Sequence, residues 1–362
     1  MDQNYFDGRD LVHCADRNIT FNVFRRFGRS RDDKPLHTVL CLHGAGYTGL
    51  SWALFADTLT SLATDLRVRI LAPDLRGHGL TFSCHPDNQS SEDLSIDTLV
   101  GDVMALCRQL DLNLEKTVVV GHSMGGAVAV RVAASYLQTA SIKIGGLVVI
   151  DVVEGTALAS VPQIKKILAS RPKCFKDTSS AIEWALRSGW NKRQEAAALS
   201  IPSQLCKTRW NAEQKKKTEQ WSDALGTISE NQVESETAGL KEEELSSGDN
   251  TCCIRWTWRT DVEASYSNWE GWYTGLSDAF LRVQAPKMLI LAGTDRLDKT
   301  LTIAQMQGKF QLVVLPQAGH AVHEDEYDKV AQSVWTFISR FRKSDLQNHL
   351  LASTVPGSLF RQ

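Results

Sequence analysis

The sequence lacks the features that would direct a chain to a membrane or to nucleic acid. No apolar run approaches the roughly 18 to 20 residues needed to cross a bilayer, and the amino terminus is polar and acidic, without an apolar signal core. The net charge is only −2 over 362 residues, so neither nucleic acid nor an anionic membrane is expected as a partner. These absences predict a soluble protein of the cytoplasm, with the nucleus as a second compartment.

Motifs for metals, phosphates and disulfides are missing as well. The chain has no His-x-x-x-His, no paired Cys-x-x-Cys and no glycine loop that would cradle a phosphate. Its eight cysteines are scattered without a repeated spacing, which predicts reduced thiols and not a disulfide framework. We therefore expect no cofactor and no catalytic metal.

The chain does contain short apolar runs that alternate with helical patterns. Strand-like runs lie at residues 19–24, 37–42, 68–72, 117–120, 147–150, 288–291 and 312–315. Helical patterns lie at residues 52–63, 95–110, 124–137, 300–307 and 328–341. The later strand-like runs are continuously apolar, as in parallel strands that are covered on both faces. This order predicts an α/β fold with a doubly wound, mostly parallel sheet.

One serine stands at the junction between a strand and a helix. The run Thr117-Val118-Val119-Val120 leads into Gly121-His122-Ser123-Met124-Gly125, and a helical pattern follows. Glycines two residues before and after the serine leave room for the sharp turn of a nucleophile elbow. The pattern predicts an α/β-hydrolase fold with Ser123 as the nucleophile.

A serine nucleophile needs a histidine base, and the fold places it after the last strand. His320 lies in the Gly319-His320 pair directly after that strand, so we predict it as the base. His323 is the alternative, but its place at the start of the next helix is more typical of packing or capping. His122 should point away from the reacting side.

Two aspartates compete to orient the histidine. Asp295 follows the penultimate strand, where most hydrolases of this fold carry the acid, and Asp151 ends the strand before it. Spacing alone favours Asp295. For the oxyanion hole, we predict the backbone N–H groups of Met124, next to the nucleophile, and of Ala45, in the loop after an early strand.

The alternation of strands and helices stops between residues 152 and 285, where eight of the ten tryptophans lie. An insertion at this place corresponds to the cap of a hydrolase, so we predict a helical cap. Residues 211–250 are acidic and nearly free of aromatics after Trp221, which predicts a disordered loop within it. The predicted units are a core in two parts (1–151 and 286–343), the cap (152–285) and a carboxyl-terminal tail (344–362).

These motifs together resemble one family, the protein phosphatase methylesterase-1 family. The likeness covers about residues 21–341 and is carried by residues 121–127, 150–157, 171–173, 181–184, 269–272 and 291–325. It is most specific in 291–325, which contains Gln305-Met306-Gln307-Gly308-Lys309-Phe310. The chain departs from the family at Ala45, where glycine is usual. Only a backbone N–H is needed there, so the departure does not put activity in doubt.

The resemblance implies a function and changes one assignment. Members remove the methyl ester from the carboxyl-terminal leucine of the protein phosphatase 2A catalytic subunit, through a Ser-His-Asp acyl-enzyme mechanism. The family's acid lies in the Asp-Val-Val-Glu-Gly-Thr segment, which implies Asp151 and not Asp295. The alternatives are a phosphatase-binding inhibitor with incidental hydrolase activity and a generic carboxylesterase or lipase.

A short motif lies in the acidic loop. Leu225, Ile228 and Glu230 match the Leu-x-x-Ile-x-Glu pattern that docks on B-prime regulatory subunits of the same phosphatase. Such motifs act in disordered segments, where apolar anchors enter pockets and acids add long-range attraction. We therefore predict B-prime subunits as a second partner. The rival interpretation is a solubilising loop.

Overall fold

The computed structural model describes residues 4–28, 37–63, 67–83, 92–140, 142–210 and 253–353. Its strands are β1 (Gly8–Cys14), β2 (Ile19–Phe27), β3 (His37–Leu42), β4 (Val68–Pro73), β5 (Phe82–Ser83), β6 (Thr117–His122), β7 (Gly146–Ile150), β8 (Cys174–Phe175), β9 (Leu205–Trp210), β10 (Cys253–Trp258), β11 (Lys287–Leu291) and β12 (Gln311–Val314).

The helices of the described residues alternate with these strands. They are α1 (Ala53–Leu62), α2 (Ile96–Gln109), α3 (Met124–Ala140), α4 (Glu154–Ala169), α5 (Thr178–Arg187), α6 (Gln194–Ser203), α7 (Trp269–Tyr273), α8 (Leu276–Arg282), α9 (Lys299–Met306), α10 (Val322–Asp325) and α11 (Tyr327–Ser353). In the described part of the chain, no helix is both long and apolar enough to cross a membrane.

Nine strands form the main sheet, in the order β1-β2-β4-β3-β6-β7-β11-β12, with β5 paired to β2. Every pairing from β4 to β12 is parallel, whereas the pairings of β2 are antiparallel. Alternate residues of β3 enter two separate cores: Val39 and Cys41 pack on one face, and Leu40 and Leu42 on the other. The prediction of a doubly wound, mostly parallel sheet is confirmed.

The predicted cap is not purely helical, and this corrects the sequence-based expectation. Strands β8, β10 and β9 form a second, antiparallel sheet in that order, and α4 to α6 accompany it. Along β9, Lys207 and Arg209 are exposed, whereas Cys206 and Thr208 on the opposite face are half-buried. Strands that are half covered in this way alternate charged with apolar residues, so they lack the continuous apolar run on which the helical interpretation depended.

Two further expectations concern the ends of these segments. Helix α11 continues to Ser353, so the first part of the predicted tail is helical, because no proline or glycine interrupts the chain before Pro356. Residues 211–252, with Leu225, Ile228 and Glu230, lie outside the described residues. The docking motif and the predicted loop therefore stay predictions, as do the domain boundaries.

Candidate active site

Ser123 lies in the turn between β6 and α3. Its φ angle is +51°, a left-handed conformation that costs energy for a residue with a side chain and often occurs at functional sites. The turn needs its glycines, because a Cβ on Gly121 would stand 2.2 Å from the Gly125 oxygen and one on Gly125 would stand 2.3 Å from the Leu42 oxygen. In the predicted elbow, backbone atoms thus lie so close to Gly121 and Gly125 that only glycine fits at these positions.

His320 follows β12 and joins the serine to an acid. Its Nε2 lies 3.1 Å from Ser123 Oγ, and its Nδ1–H donates to Asp151 Oδ2 at 2.8 Å. Nδ1 as the donor leaves Nε2 free to accept the serine hydroxyl proton. The structure therefore brings the three predicted triad residues together in the order that general-base catalysis requires.

Asp151 follows β7 directly, and its carboxylate is fully buried. Besides His320, the Ala292 N–H donates to Oδ1 at 3.1 Å and Arg296 Nη1 donates to Oδ2 at 2.6 Å. Burial by itself would raise the pKa of Asp151, yet the hydrogen bond and charge of His320, the Arg296 guanidinium and the Ala292 amide hold that pKa below its ordinary value. The carboxylate thus stays ionised beside the histidine.

Of the two competing acids, the structure puts Asp151 and not Asp295 against the histidine. Asp295 is exposed and lies in a short turn after β11. Spacing favoured Asp295 because it follows the penultimate strand, but the neighbouring Arg296 occupies the side that faces Asp151. The role of Arg296 was missed, and only its nearness in sequence to a candidate acid hinted at it.

The two predicted oxyanion-hole residues border the nucleophile. Met124 is the first residue of α3, so its N–H has no acceptor within that helix. Ala45 follows Gly44, where an added Cβ would stand 3.2 Å from Ser123 Cβ, so the loop lies directly against the serine. The Gly46 N–H donates to His78 Nε2, which fixes the loop on its far side.

The remaining predicted histidines are structural. His122 is buried and its Nε2 contacts the His320 carbonyl oxygen at 2.8 Å, behind the triad as expected. His323 on helix α10 is completely buried, and neither of its ring nitrogens has a hydrogen-bond partner among the described residues. Burial lowers the pKa of His323 to about 3, so a neutral ring that packs fits this position and a base does not.

A cavity of about 290 Å³ opens at the triad, and we call it the core cavity. Ser123, His320 and Asp295 reach it, as do the apolar side chains of Val153 and Ile164. This shape suits an ester that presents an apolar acyl group to the serine. In the described residues, no group of three His, Cys, Asp or Glu side chains is arranged to hold a metal ion.

Tyr273 at the end of α7 also lines the core cavity, and sequence reasoning missed it. The side chain is buried, and burial raises the pKa of its hydroxyl to about 12, with a hydrogen bond to Ser123 acting in the opposite direction. The hydroxyl therefore keeps its proton at neutral pH and can donate near the reacting oxygen. Nothing in the local sequence marks this tyrosine, because it reaches Ser123 from a distant segment.

Known proteins resemble this chain at two levels. A model of the alpha/beta hydrolase family matches residues 39–333. "Protein phosphatase methylesterase 1" of Mus musculus is 41% identical over 348 residues, which is 93% of this chain and 84% of the relative. The Homo sapiens protein of that name is 40% identical over 345 residues, with the same coverage. A "Probable protein phosphatase methylesterase 1" of Caenorhabditis elegans is 37% identical over 93% of this chain and 78% of the relative.

Solved structures share the fold at lower identity. E-2-(acetamidomethylene)succinate hydrolase superposes with a TM-score of 0.60 at 19% identity, over 92% of this chain and 99% of that one. A thioesterase domain from the curacin biosynthetic pathway superposes with a TM-score of 0.56 at 17% identity, over 91% and 98%. At these identities the likeness concerns the fold alone.

Proposed function

Since the chain belongs to the protein phosphatase methylesterase 1 family of α/β hydrolases, we propose that it removes the methyl ester from the carboxyl-terminal leucine of a protein phosphatase 2A catalytic subunit. The chain is a carboxylic ester hydrolase by family, and the resemblance seen in its motifs is confirmed. The observation that carries the proposal is the continuous hydrogen-bonded series from Asp151 through His320 to Ser123 at a cavity.

The reaction begins at the serine. Ser123 Oγ attacks the ester carbonyl carbon while His320 Nε2 takes the hydroxyl proton, and the buried Asp151 carboxylate stabilises the imidazolium that forms. Negative charge develops on the carbonyl oxygen, toward which the Ala45 and Met124 N–H groups donate. His320 then gives its proton to the leaving methoxide, and methanol departs.

The second half regenerates the serine. A water molecule attacks the acyl carbon while His320 Nε2 takes one of its protons. Collapse of the second tetrahedral intermediate breaks the bond to Ser123 Oγ, which recovers its proton from His320. The phosphatase leaves with a free carboxyl terminus. The three triad residues that these steps use are already in hydrogen-bond contact.

A direct experiment follows the methyl group. A methylated phosphatase 2A catalytic subunit is incubated with the native protein and, in parallel, with the Ser123→Ala protein, and the mass of its carboxyl-terminal peptide is measured. We expect loss of the methyl ester only with the native protein. If the ester survives while both proteins inhibit the phosphatase equally, the chain is a phosphatase-binding inhibitor and the proposal is wrong.

We also propose that Leu225, Ile228 and Glu230 dock on B-prime regulatory subunits. Support comes from the spacing of two apolar anchors and an acid, followed by the further acids Glu234 and Glu236. The variant Ile228→Ala with Glu230→Ala should weaken binding to a holoenzyme that contains B-prime. Binding to a holoenzyme with another regulatory subunit is the control. Unchanged affinity for the B-prime holoenzyme would contradict the docking proposal and leave the esterase proposal intact.

A further inference from the structure

A second cavity, of about 370 Å³, lies at the cap sheet, and we call it the cap cavity. Its walls come from the end of α4, from β9 and β10, and from the segment after β10. The lining includes Arg171, Lys173, Thr208, Thr257, Trp258 and Glu263. A polar cavity of this size is large enough to hold an amino-acid side chain.

Arg171 is the unusual member of this lining. Only 8% of the residue is exposed, and its guanidinium carbon lies 4.4 Å from the Trp258 ring centre and 5.6 Å from that of Trp190. Within the described ranges its side chain makes no hydrogen bond and no ion pair, and Nε is buried without a partner. Burial lowers the pKa of Arg171. Glu263 and Asp261 act on the guanidinium through their charges alone. A buried charge without a hydrogen bond is costly, so an anionic ligand that accepts hydrogen bonds from the guanidinium would offset that cost.

The neighbours of Arg171 already have partners inside the protein. Lys173 Nζ donates to Glu263 Oε1, and Trp258 Nε1 donates to the Pro172 oxygen at 2.8 Å. The hydroxyls of Thr208 and Thr257 hydrogen-bond to each other. Among these residues of the lining, Arg171 is therefore the one whose side-chain N–H donors have no acceptor in the described part of the protein.

The cap cavity lies close to the core cavity. Helix α4 borders both, with Ile164 facing the core cavity and Leu168 facing the cap cavity. Four residues of helix span about 6 Å, and an extended peptide covers that distance in about two residues. On the other side, Tyr47 stacks on Trp190, with ring centres 6.4 Å apart. Measured along α4, the separation of the two cavities is thus within the span of a few residues of a peptide whose carboxyl terminus is at Ser123.

We propose that Arg171 binds the carboxylate of an acidic side chain in the substrate peptide, a few residues before the methylated leucine. The planar guanidinium matches a carboxylate in two parallel hydrogen bonds. Asp261 and Glu263 in the same lining repel any anion, and they repel a doubly charged phosphate more strongly than a carboxylate, which favours a single negative charge. This recognition rests on the proposed methylesterase function and specifies the substrate for it.

A peptide series tests the proposal. Peptides ending in leucine methyl ester carry one glutamate at each upstream position in turn, and each has a partner peptide with glutamine there. At one position we expect the native protein to have a kcat/KM for the glutamate peptide about 10- to 100-fold higher than for its glutamine partner. A ratio of this size is expected of hydrogen bonds to a charged group. Arg171→Met should bring that ratio close to one, and Arg171→Lys should retain part of it.

The matched control is Arg193→Met. Arg193 also lies over an aromatic ring, that of Tyr327 at 5.0 Å, but it is paired with Glu195. This variant should keep the glutamate preference. A preference that survives Arg171→Met, or one that is absent from the native protein at every position, would overturn the proposal. If Arg171→Met does not fold, Arg171→Lys takes its place, and an undiminished glutamate preference in that variant would equally overturn the proposal.

A binding measurement separates this proposal from the proposed function. Affinities of the same peptides for the Ser123→Ala protein need no turnover, and glutamate should bind more tightly at the selected position only while Arg171 is present. Should the native protein cleave none of the peptide esters, the methylesterase proposal fails. The affinities of the glutamate and glutamine peptides would still decide whether Arg171 binds a carboxylate.

Discussion

The core cavity and the cap cavity each contain a buried charged side chain, and the two side chains differ in their hydrogen bonds. Asp151 at the core cavity is fully buried and accepts hydrogen bonds from His320, Arg296 and Ala292. Arg171 at the cap cavity is nearly as buried, and the described residues offer it aromatic rings but no hydrogen bond. A charge that is satisfied internally is preorganised for chemistry. A charge that is left unsatisfied is available to a ligand, so we infer that the core performs the reaction and the cap selects the substrate.

The largest expected effect lies in the core. Ser123→Ala should lower turnover of every ester by several powers of ten, because removal of a triad member takes away the nucleophile itself. Rates on a small ester and on a leucine methyl ester peptide are compared with those of the native protein, and thermal unfolding serves as the check on folding. Undiminished turnover would show that Ser123 is not the nucleophile. It would also contradict the inference that the core performs the reaction while the cap selects the substrate.

The next effect separates the two acids near the histidine. Asp151→Asn should lower kcat by about 10⁴-fold, the loss expected when the histidine is held by an amide and adopts the wrong tautomer. Asp295→Asn is the matched control on the same cavity and should be mild, because its side chain is exposed and the carboxylate that His320 Nδ1 contacts is that of Asp151. The reverse ranking would contradict the assignment of Asp151.

A smaller effect tests Tyr273, which follows the cap sheet in sequence but lines the core cavity. Tyr273→Phe removes a hydroxyl that lies beside Ser123 but keeps the buried ring. One neutral hydrogen bond contributes about 0.5–1.5 kcal/mol, so we expect kcat to fall by about 2- to 10-fold for small and large esters alike. A loss confined to large substrates would show that Tyr273 takes part in substrate selection and not in the chemical step.

The smallest effect concerns stability where the cap joins the core. Glu324 on α10 is buried, the Asn191 amide donates to it, and burial raises the pKa of its carboxyl from 4.5 to about 8. The folded state therefore keeps a proton that the unfolded state loses, so stability should fall as pH rises from about 4.5 to about 8.

Glu324→Gln removes this titration, so the variant should lose that part of the pH dependence and gain Tm relative to the native protein at the upper end of the range. Asp328→Asn on the surface of the adjoining helix is the control. Equal pH slopes for the native and Glu324→Gln proteins would contradict the idea that Glu324 folds in its neutral form.

The sequence could predict the core because its signals are local. Continuous apolar runs identify parallel strands, and the glycines around Ser123 follow from the close approaches that the turn imposes. His320 is found from its place after the last strand. The choice between Asp151 and Asp295 needed the family resemblance, because both follow strands that lie side by side and spacing alone ranks them in the wrong order.

The cap could not be predicted to the same depth, because its contacts are distant in sequence. Strands β9 and β10 pair across a long intervening segment, and Arg171 meets Trp258 beside the pairing of β8 with β10. Tyr273 and Arg296 reach the triad residues in the same nonlocal way. Short half-exposed strands lack the apolar runs that identify the core strands, so the sequence predicted the helices of the cap but not its sheet.

If a common hydrolytic core serves a selective cap, the protein should distinguish between two kinds of ester. The native protein is given a methylated phosphatase 2A catalytic subunit and, separately, a small generic ester, and kcat/KM is measured for both. We predict a clearly higher kcat/KM for the phosphatase ester, since binding at the cap contributes only there. An equal or higher kcat/KM for the small ester, with the phosphatase still methylated, would show that the cap does not select the phosphatase as substrate.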